Sequence, residues 1–456
     1  MYQTHPNSPP PQPALPEEER QKREADKRKA RKNNGAKRGI HYEMEQEEHD
    51  VYPDDPDFDI NNARLVTIAT RICVRYECVP MRFIKHVYRI HTYAQDGRLF
   101  EGKTPVSAFL NSSYDGSFIA GLMELRYIQS LPVERIINYF ESHGFTLKKP
   151  TAHKLMEKAS SLFENLYKCI RQTALSDPYK AADETYYKIL VPEKNSKGKG
   201  VRKGYLWVVV GINTRMIYLL YDDGSRSEKV ILNELGGCKG IIQSDGYSPY
   251  RKLESDAYPH ITRIPCLQHI KRKFIDCGED EPDAKRIVEL INTLYQNEHK
   301  HKIGVDGWTV EQNLVHRKKY APDILGEIKD VLDDIEERGD LLPKSELKEA
   351  VTYLRNEWNA VVDIFNYGDT YLDNNIVERM NRYISLSRKN SLFFGSHKGA
   401  ERGAILYTIA LTCRMNKVNL FEYLTDVINR TAEWQPNTPL EKYRQLLPDR
   451  WEKAND

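Results

Sequence analysis

Residues 372–399 read LDNNIVERMNRYISLSRKNSLFFGSHKG, and the rest of the chain takes its meaning from them. Asp373, Asn374 and Asn375 predict a helix start, because short polar side chains accept the backbone N–H groups that a first turn leaves free. Ile376, Met380 and Ile384 recur every four residues and predict a buried stripe. Glu378 lies two residues from Ile376 and so falls on a polar face with Arg382 and Ser385. Two readings of this carboxylate stay open. Asn375-x-x-Glu378 has the spacing of a capping box, with Glu378 returning to a free backbone N–H. The other reading puts Glu378 in a functional site. The basic run Arg388-Lys389-Asn390 and the loop between Gly395 and Gly399 point to an anionic partner.

Two further stretches bear on that choice. In ADETYYKIL, residues 182–190, Asp183 stands at the head of a strand-like run. In GIIQSDGY, residues 240–247, an apolar strand ends on Asp245 beside Gly246. A strand-end aspartate before glycine is also a common turn former. Two strand-borne aspartates and a later helix-borne glutamate fit a ribonuclease H-like site. Carboxylates converging from separate elements hold hard divalent ions through oxygen. Such ions serve phosphodiester chemistry by activating the attacking oxygen and stabilising the leaving one.

At these residues the chain resembles transposases of the insertion sequence 66 family, of the DDE type. The matching segments are ADETYYKIL, GYLWVVVGINTRMIYLLYDDGSRS, IIQSDGYSPY, IPCLQHIKRKF, DNNIVERMNRY and SRKNSLFFGSHKGAERGAILYTIALTCRMNKVNLFEYLTDVI. They occur in that order, and the resemblance runs from residue 110 to the LLPDRW segment that ends at residue 451. It implies Asp183, Asp245 and Glu378 as catalytic carboxylates and as ligands of Mg2+ or Mn2+. It implies cleavage of the element ends and joining of the freed 3′-hydroxyl to target DNA. The partners it implies are double-stranded DNA, a homo-oligomer on DNA and accessory proteins encoded by the element. The location it implies is cytoplasmic, at a bacterial nucleoid.

Composition sets outer bounds. The length allows two to four domains, and 40% hydrophobic content suffices for a buried core. No run of about 18 apolar residues is present to span a membrane. The N-terminus lacks an apolar signal core, which argues against secretion. Seven scattered cysteines do not read as a disulfide framework. The net charge of +2 conceals segregated blocks, which matter more for nucleic-acid binding than the sum.

The expected fold is α/β (mixed α+β), a ribonuclease H-like core with a helical insertion. Residues 1–59 read as a disordered charged tail: few apolar residues offset the ordering entropy. Its basic block, Arg20–Arg38, either holds DNA phosphate or solubilises the chain. Residues 60–109 form a small module with short strands at Leu65–Ile68 and Arg82–Tyr88. The family's zinc module lies here, but its cysteine pattern is missing, so Cys73, Cys78, His86 and His91 are not expected to hold zinc. Residues 110–178 are helical. Pro132 opens one helix, Gly144 ends it, and Lys148-Lys149-Pro150 opens the next, in a helix-turn-helix-like order.

Residues 179–278 carry the first part of the core, with strands at Tyr186–Leu190, Tyr205–Ile212, Met216–Tyr221, Gly240–Ser244 and Ile261–Pro265, and a helix at Glu228–Leu235. After the last strand, Lys271, Arg272 and Lys273 are expected on DNA phosphate. His269 either contacts the scissile phosphate or packs structurally, and Cys266 reads as a buried small hydrophobe. Residues 279–371 form a charged helical insertion, with a basic patch at Val310–Tyr320. Residues 372–415 complete the core, and 416–456 form a helical tail. Arg382, Arg388, Lys389, Lys148 and Lys149 complete the set of expected DNA contacts.

Overall fold

A computed structural model describes residues 81–85, 92–95, 98–101, 108–109 and 112–453, apart from 195–197, 199, 340, 433 and 436; for 92–95 and 98–101 it describes the backbone alone. All of these lie in one unit, Pro80–Asp456. The expectations for the tail, for Leu65–Ile68 and for Cys73, Cys78, His86 and His91 fall outside the described residues. The strand expected at Arg82–Tyr88 is absent over 82–85, where the backbone forms no regular element. Phe83 there packs its ring among Phe118, Phe140 and Phe145. A hairpin of β1 (Thr92–Gln95) and β2 (Arg98–Glu101) follows.

The centre is a six-stranded mixed sheet. Its path is β5 (Met216–Leu220), β4 (Val201–Gly211), β3 (Tyr179–Leu190), β6 (Gly240–Ser244) and β7 (Ile261–Pro265). The short β8 (Phe393–Phe394) pairs with the far end of β3. β3, β4 and β5 are antiparallel neighbours, while β6 and β7 run parallel to β3. In β4, Leu206-Trp207-Val208-Val209-Val210 is wholly buried. Such an unbroken apolar run belongs to a strand covered on both faces.

β3 begins at Tyr179, well before the expected Tyr186, so Asp183 is mid-strand rather than at its head. The cause is Lys180, a lysine in a fully buried strand position. Its ammonium donates to the Asp177 carbonyl and, at 2.9 Å, to the Lys239 carbonyl. Burial lowers its pKa. A buried lysine satisfied by main-chain oxygens breaks the apolar pattern without breaking the strand.

Among the described residues, α1 (Gly116–Met123), a π-helical turn at Glu124–Ile128, α2 (Val133–Ser142), α3 (Lys149–Leu162) and α4 (Glu164–Ser176) precede the sheet. Their buried residues form one core with those of β4, β5 and most of β3, while Tyr179, Ile241 and Ile264 belong to a separate one. Helix α5 (Glu228–Leu235) has Ser227 as its N-cap, and α6 (Ser248–Arg251) is a single turn. After β7 come α7 (Leu267–Asp276), then α8 (Pro282–Glu298), α9 (Val310–Arg338) and α10 (Glu346–Ile364). These share a second core built on Ile270, Phe274, Ile291, Ile328 and Leu354. α10 packs on α7 and β7, which ties the insertion to the sheet edge.

The basic patch expected at Val310–Tyr320 loses its central member. Arg317 is fully buried, pairing with Glu298 and donating to the carbonyls of Ile364 and Thr370 at 3.3 and 2.6 Å. It is a structural clasp between α8, α9 and the segment leading out of α10. The chain closes with α11 (Asn375–Asn390), α12 (His397–Met415), α13 (Leu420–Thr431) and α14 (Leu440–Gln445). α12 is apolar almost all round and lies buried against β5. α14 ends earlier than expected, and Leu446–Trp451 continues as turns. No described helix is long and apolar enough to cross a membrane.

Candidate active site

The register of β3 and β6 determines what meets what. Their last parallel pair is Ala181 with Gln243. Two residues further on each chain stand Asp183 and Asp245, so continuing the register sets them side by side. β6 ends at Ser244. From Ala182 to Tyr187, β3 therefore has no strand partner on that side among the described residues, until β8 pairs at Lys188.

Helix α11 lies across that gap and satisfies β3 with side chains. Asn374 Nδ2 donates to the Ala182 carbonyl at 3.0 Å. Asn381 Nδ2 donates to Asp183 Oδ2 at 2.7 Å. Arg388 donates to the Tyr186 carbonyl at 2.5 Å. Glu378 and Asn381 are three residues apart and share a helix face. Glu378 thus stands one turn from the amide that holds Asp183.

The capping-box reading of Glu378 fails. The N-cap is Asn374, and it makes no side-chain capping bond: its Nδ2 donates to β3, and its Oδ1 is enclosed without a partner. Asp373 Oδ1 accepts the Asn375 N–H instead, at 3.1 Å. Glu378 is half-buried, with Oε1 enclosed and lacking any hydrogen-bond partner. That oxygen is 3.8 Å from His269 Nε2. His269 Nδ1 is likewise enclosed without a partner. The apolar stripe is also displaced: Val377 and Ile384 are buried, while Ile376 and Met380 pack at the core's margin.

Burial pushes Asp183 up to about 7, and the neighbouring charges of Glu184 and Asp245 push in the same direction. The Glu184 N–H, at 2.8 Å from Oδ1, and the Asn381 amide act against them. Glu184 points to the opposite face of β3, where Arg226 pairs with it. Asp245 Oδ1 accepts the Tyr247 N–H at 3.1 Å. Its own carbonyl accepts from the buried Arg263 at 3.1 Å, and Tyr353 Oη accepts the Gly246 N–H at 2.8 Å. A cleft of about 270 Å³ opens here, lined by Asp245, Tyr247, His269, Arg272, Lys273 and Arg226.

The expected DNA contacts divide into groups. His269, Arg272 and Lys273 line the cleft, and Lys271 is half-buried on the same helix. Arg382 and Lys389 are exposed on α11. Arg388 is partly committed to the fold through Thr185 and Tyr186. Lys148 and Lys149 are exposed at the start of α3, remote in sequence from the cleft, and Lys149 pairs with Glu134. Asn381, Arg226, Tyr353 and Arg263 went unnoticed in the sequence, and Asn374 was read only as part of a helix start. Only Asn381 had a usable signal, its spacing of three from Glu378.

Cys266 Sγ, a His269 ring nitrogen and a Glu378 oxygen lie within 4.8 Å of one another. Burial pushes the Cys266 thiol up to about 12, and its sulfur accepts the Asn374 N–H at 3.2 Å. A neutral thiol engaged in this way, with two other donors, does not make a four-ligand zinc site.

The profile of the Transposase IS66 family matches residues 111–402, which include all three acids. The chain belongs to the Transposase IS66 family. Three curated relatives come from Sinorhizobium fredii (strain NBRC 101917 / NGR234), and each is named as an uncharacterized protein. The chain is 25% identical to y4jD over 73% of its own length and 65% of that protein's. It is 23% identical to y4hP over 86% of itself and 73% of the relative. It is 25% identical to y4qI over 89% and 76%. The chain thus spans a little under two thirds of the length of y4jD.

Proposed function

We propose that the chain is a DNA transposase that cleaves the ends of an insertion sequence and joins the freed 3′-hydroxyl to target DNA. Asp183, Asp245 and Glu378 are its catalytic carboxylates. The observation that carries this is the convergence of two aspartates where β6 leaves β3, with α11 bonded across the gap through Asn374 and Asn381. The sheet order, three antiparallel strands followed by two parallel ones, supports a ribonuclease H-like core.

The donor set fits Mg2+ or Mn2+, which take hard oxygen ligands. Burial and like charge raise the Asp183 pKa to about 7, a shift that a nearby cation would oppose. Glu378 Oε1 has no hydrogen to accept. Asp183, Asp245 and Glu378 would hold the ion, which supplies activation of the attacking oxygen and stabilisation of the leaving one.

The other residues position the substrate. Asn381 fixes the Asp183 carboxylate, and Arg263 and Tyr353 fix the backbone that carries Asp245. Arg272 and Lys273 bring positive charge to the cleft and hold phosphates beside the scissile bond. Water is the first nucleophile and the DNA 3′-hydroxyl the second, so no covalent enzyme intermediate is required. The partners are double-stranded DNA, a second copy of the chain on DNA, and accessory proteins of the element.

The test is linear DNA carrying the element's own end, incubated with target DNA, Mg2+ and the accessory proteins. Sequenced products should contain the element's 3′ end joined to target. Cleaved ends that are never joined would leave a hydrolytic nuclease. A complete lack of cleavage would leave a DNA-binding protein without catalysis.

A second expectation concerns α7. Replacing Lys271, Arg272 and Lys273 by Ala should weaken end and random DNA alike and flatten the salt dependence, since phosphate contacts carry no sequence information. A loss confined to the element end, measured by fluorescence anisotropy, would contradict it.

A further inference from the structure

One face of the sheet carries an unbroken row of alternating rings and cations. Tyr186 on β3 and Tyr205 on β4 are cross-strand partners and so share a face. Lys203 Nζ lies 4.4 Å from the centre of the Tyr186 ring and 5.2 Å from that of Tyr205. Arg226 follows, 5.1 Å from Tyr205 and 4.1 Å from Tyr247. At the other end, the Arg388 guanidinium is 3.9 Å from the Tyr186 ring. Arg226 and Tyr247 line the cleft at Asp245. The row therefore runs from α11 across β3 and β4, on the face opposite Asp183, to the cleft edge where Asp245 stands.

Two features separate this row from ordinary solvated charge. Among the described residues, neither Lys203 nor Arg388 has a carboxylate in ion-pair contact; Lys203 keeps its charge for an outside anion, while Arg388 spends part of its guanidinium on Thr185 and the Tyr186 carbonyl. The rings hold the cations over their faces, which removes part of the motion that a surface lysine loses on binding. Lys203 and Arg226 are exposed, and Tyr186 is 37% exposed. Glu184, beneath Arg226, is the row's one paired acid.

We propose that Arg388, Tyr186, Lys203, Tyr205, Arg226 and Tyr247 form a track for the DNA phosphodiester backbone, leading a strand into the cleft at Asp245. The track rests on the reading of that cleft as the site of DNA cleavage, and it assigns the contacts by which the strand approaches. The phosphates belong either to a duplex flank or to an unpaired strand, and the chemistry is shared.

The experiment measures binding by the full chain in EDTA, with no cleavage, against a salt series. The probes are a random-sequence duplex and a single strand of equal length. Lys203→Gln should weaken binding several-fold. It should lower the slope of log affinity against log salt by about 0.9 if the track holds a duplex and by about 0.7 if it holds a single strand. Tyr205→Leu removes no charge, yet should shift binding in the same direction, because it frees Lys203 and Arg226; Tyr205→Phe should bind like the parent. Lys329→Gln, on the exposed face of α9, is the control and should change nothing. Parental affinity and slope in both Lys203→Gln and Tyr205→Leu would overturn the track, as would an equal loss in Lys329→Gln. Because binding is read in EDTA, a failure of the cleavage reading leaves the result legible.

Discussion

Glu378→Gln should fold and bind DNA like the parent, yet lose Mg2+-dependent cleavage of the element end by more than a hundredfold. The two residue types are nearly isosteric, and Glu378 is half-buried with no hydrogen bond to lose. The substitution removes the negative charge, which a hard cation requires. Loss of a residue that merely supports a metal ligand costs about 10–100-fold. Loss of a ligand itself should exceed that range. Asp183→Asn and Asp245→Asn should match it. Gel assays of nicked and joined products on linear end DNA read the effect. Cleavage within tenfold of the parent in Glu378→Gln would remove this residue from the site.

The second large effect concerns stability. Arg263 on β7 and Glu357 on α10 form an ion pair with side chains 0% and 1% exposed. Arg263 also pairs with Glu254 and donates to the Asp245 carbonyl. Removing one partner of a buried pair leaves an uncompensated charge and costs about 3–5 kcal/mol. Glu357→Ala should therefore lower the unfolding free energy read from urea denaturation towards that range, because Arg263 keeps only the partly exposed Glu254 and Arg251 loses its own acid neighbour. The variant should also lose activity beyond its loss of folded protein, because the backbone at Asp245 loses its anchor. A destabilisation below about 1 kcal/mol, as for an exposed pair, would show that water reaches Arg263.

Much of the sheet was legible because its strands are short and well punctuated. The expected bounds of α5, β6 and β7 coincide with the observed ones, since Ser227, Gly240 and Pro265 mark their ends. The start of β3 was hidden by the buried Lys180, and Arg317 was read as surface charge. In both cases a charged side chain is satisfied by main-chain carbonyls of which at least one lies far away in sequence, which local pattern cannot register. The acids stood out as residue types. Their adjacency depends on the parallel pairing of Ala181 with Gln243, and no local signal carries that register. The polar clamp on the acids was harder still to read. Asn374, Arg263 and Tyr353 each bond a backbone atom at or beside Asp183 or Asp245; Asn374 marks a helix start, but nothing in its segment points to β3, and nothing singles out Arg263 or Tyr353.

The central claim is that Asp183, Asp245 and Glu378 act as one cation-holding centre. Mn2+ titrated into the full chain, followed by electron paramagnetic resonance, tests it without catalysis. The parent should deplete free Mn2+ at a saturable site, and Asp183→Asn, Asp245→Asn and Glu378→Gln should each abolish or weaken that site at least tenfold, while Cys266→Ser leaves it in place. Undiminished Mn2+ binding in all three acid variants, or binding lost only in Cys266→Ser, would contradict the account.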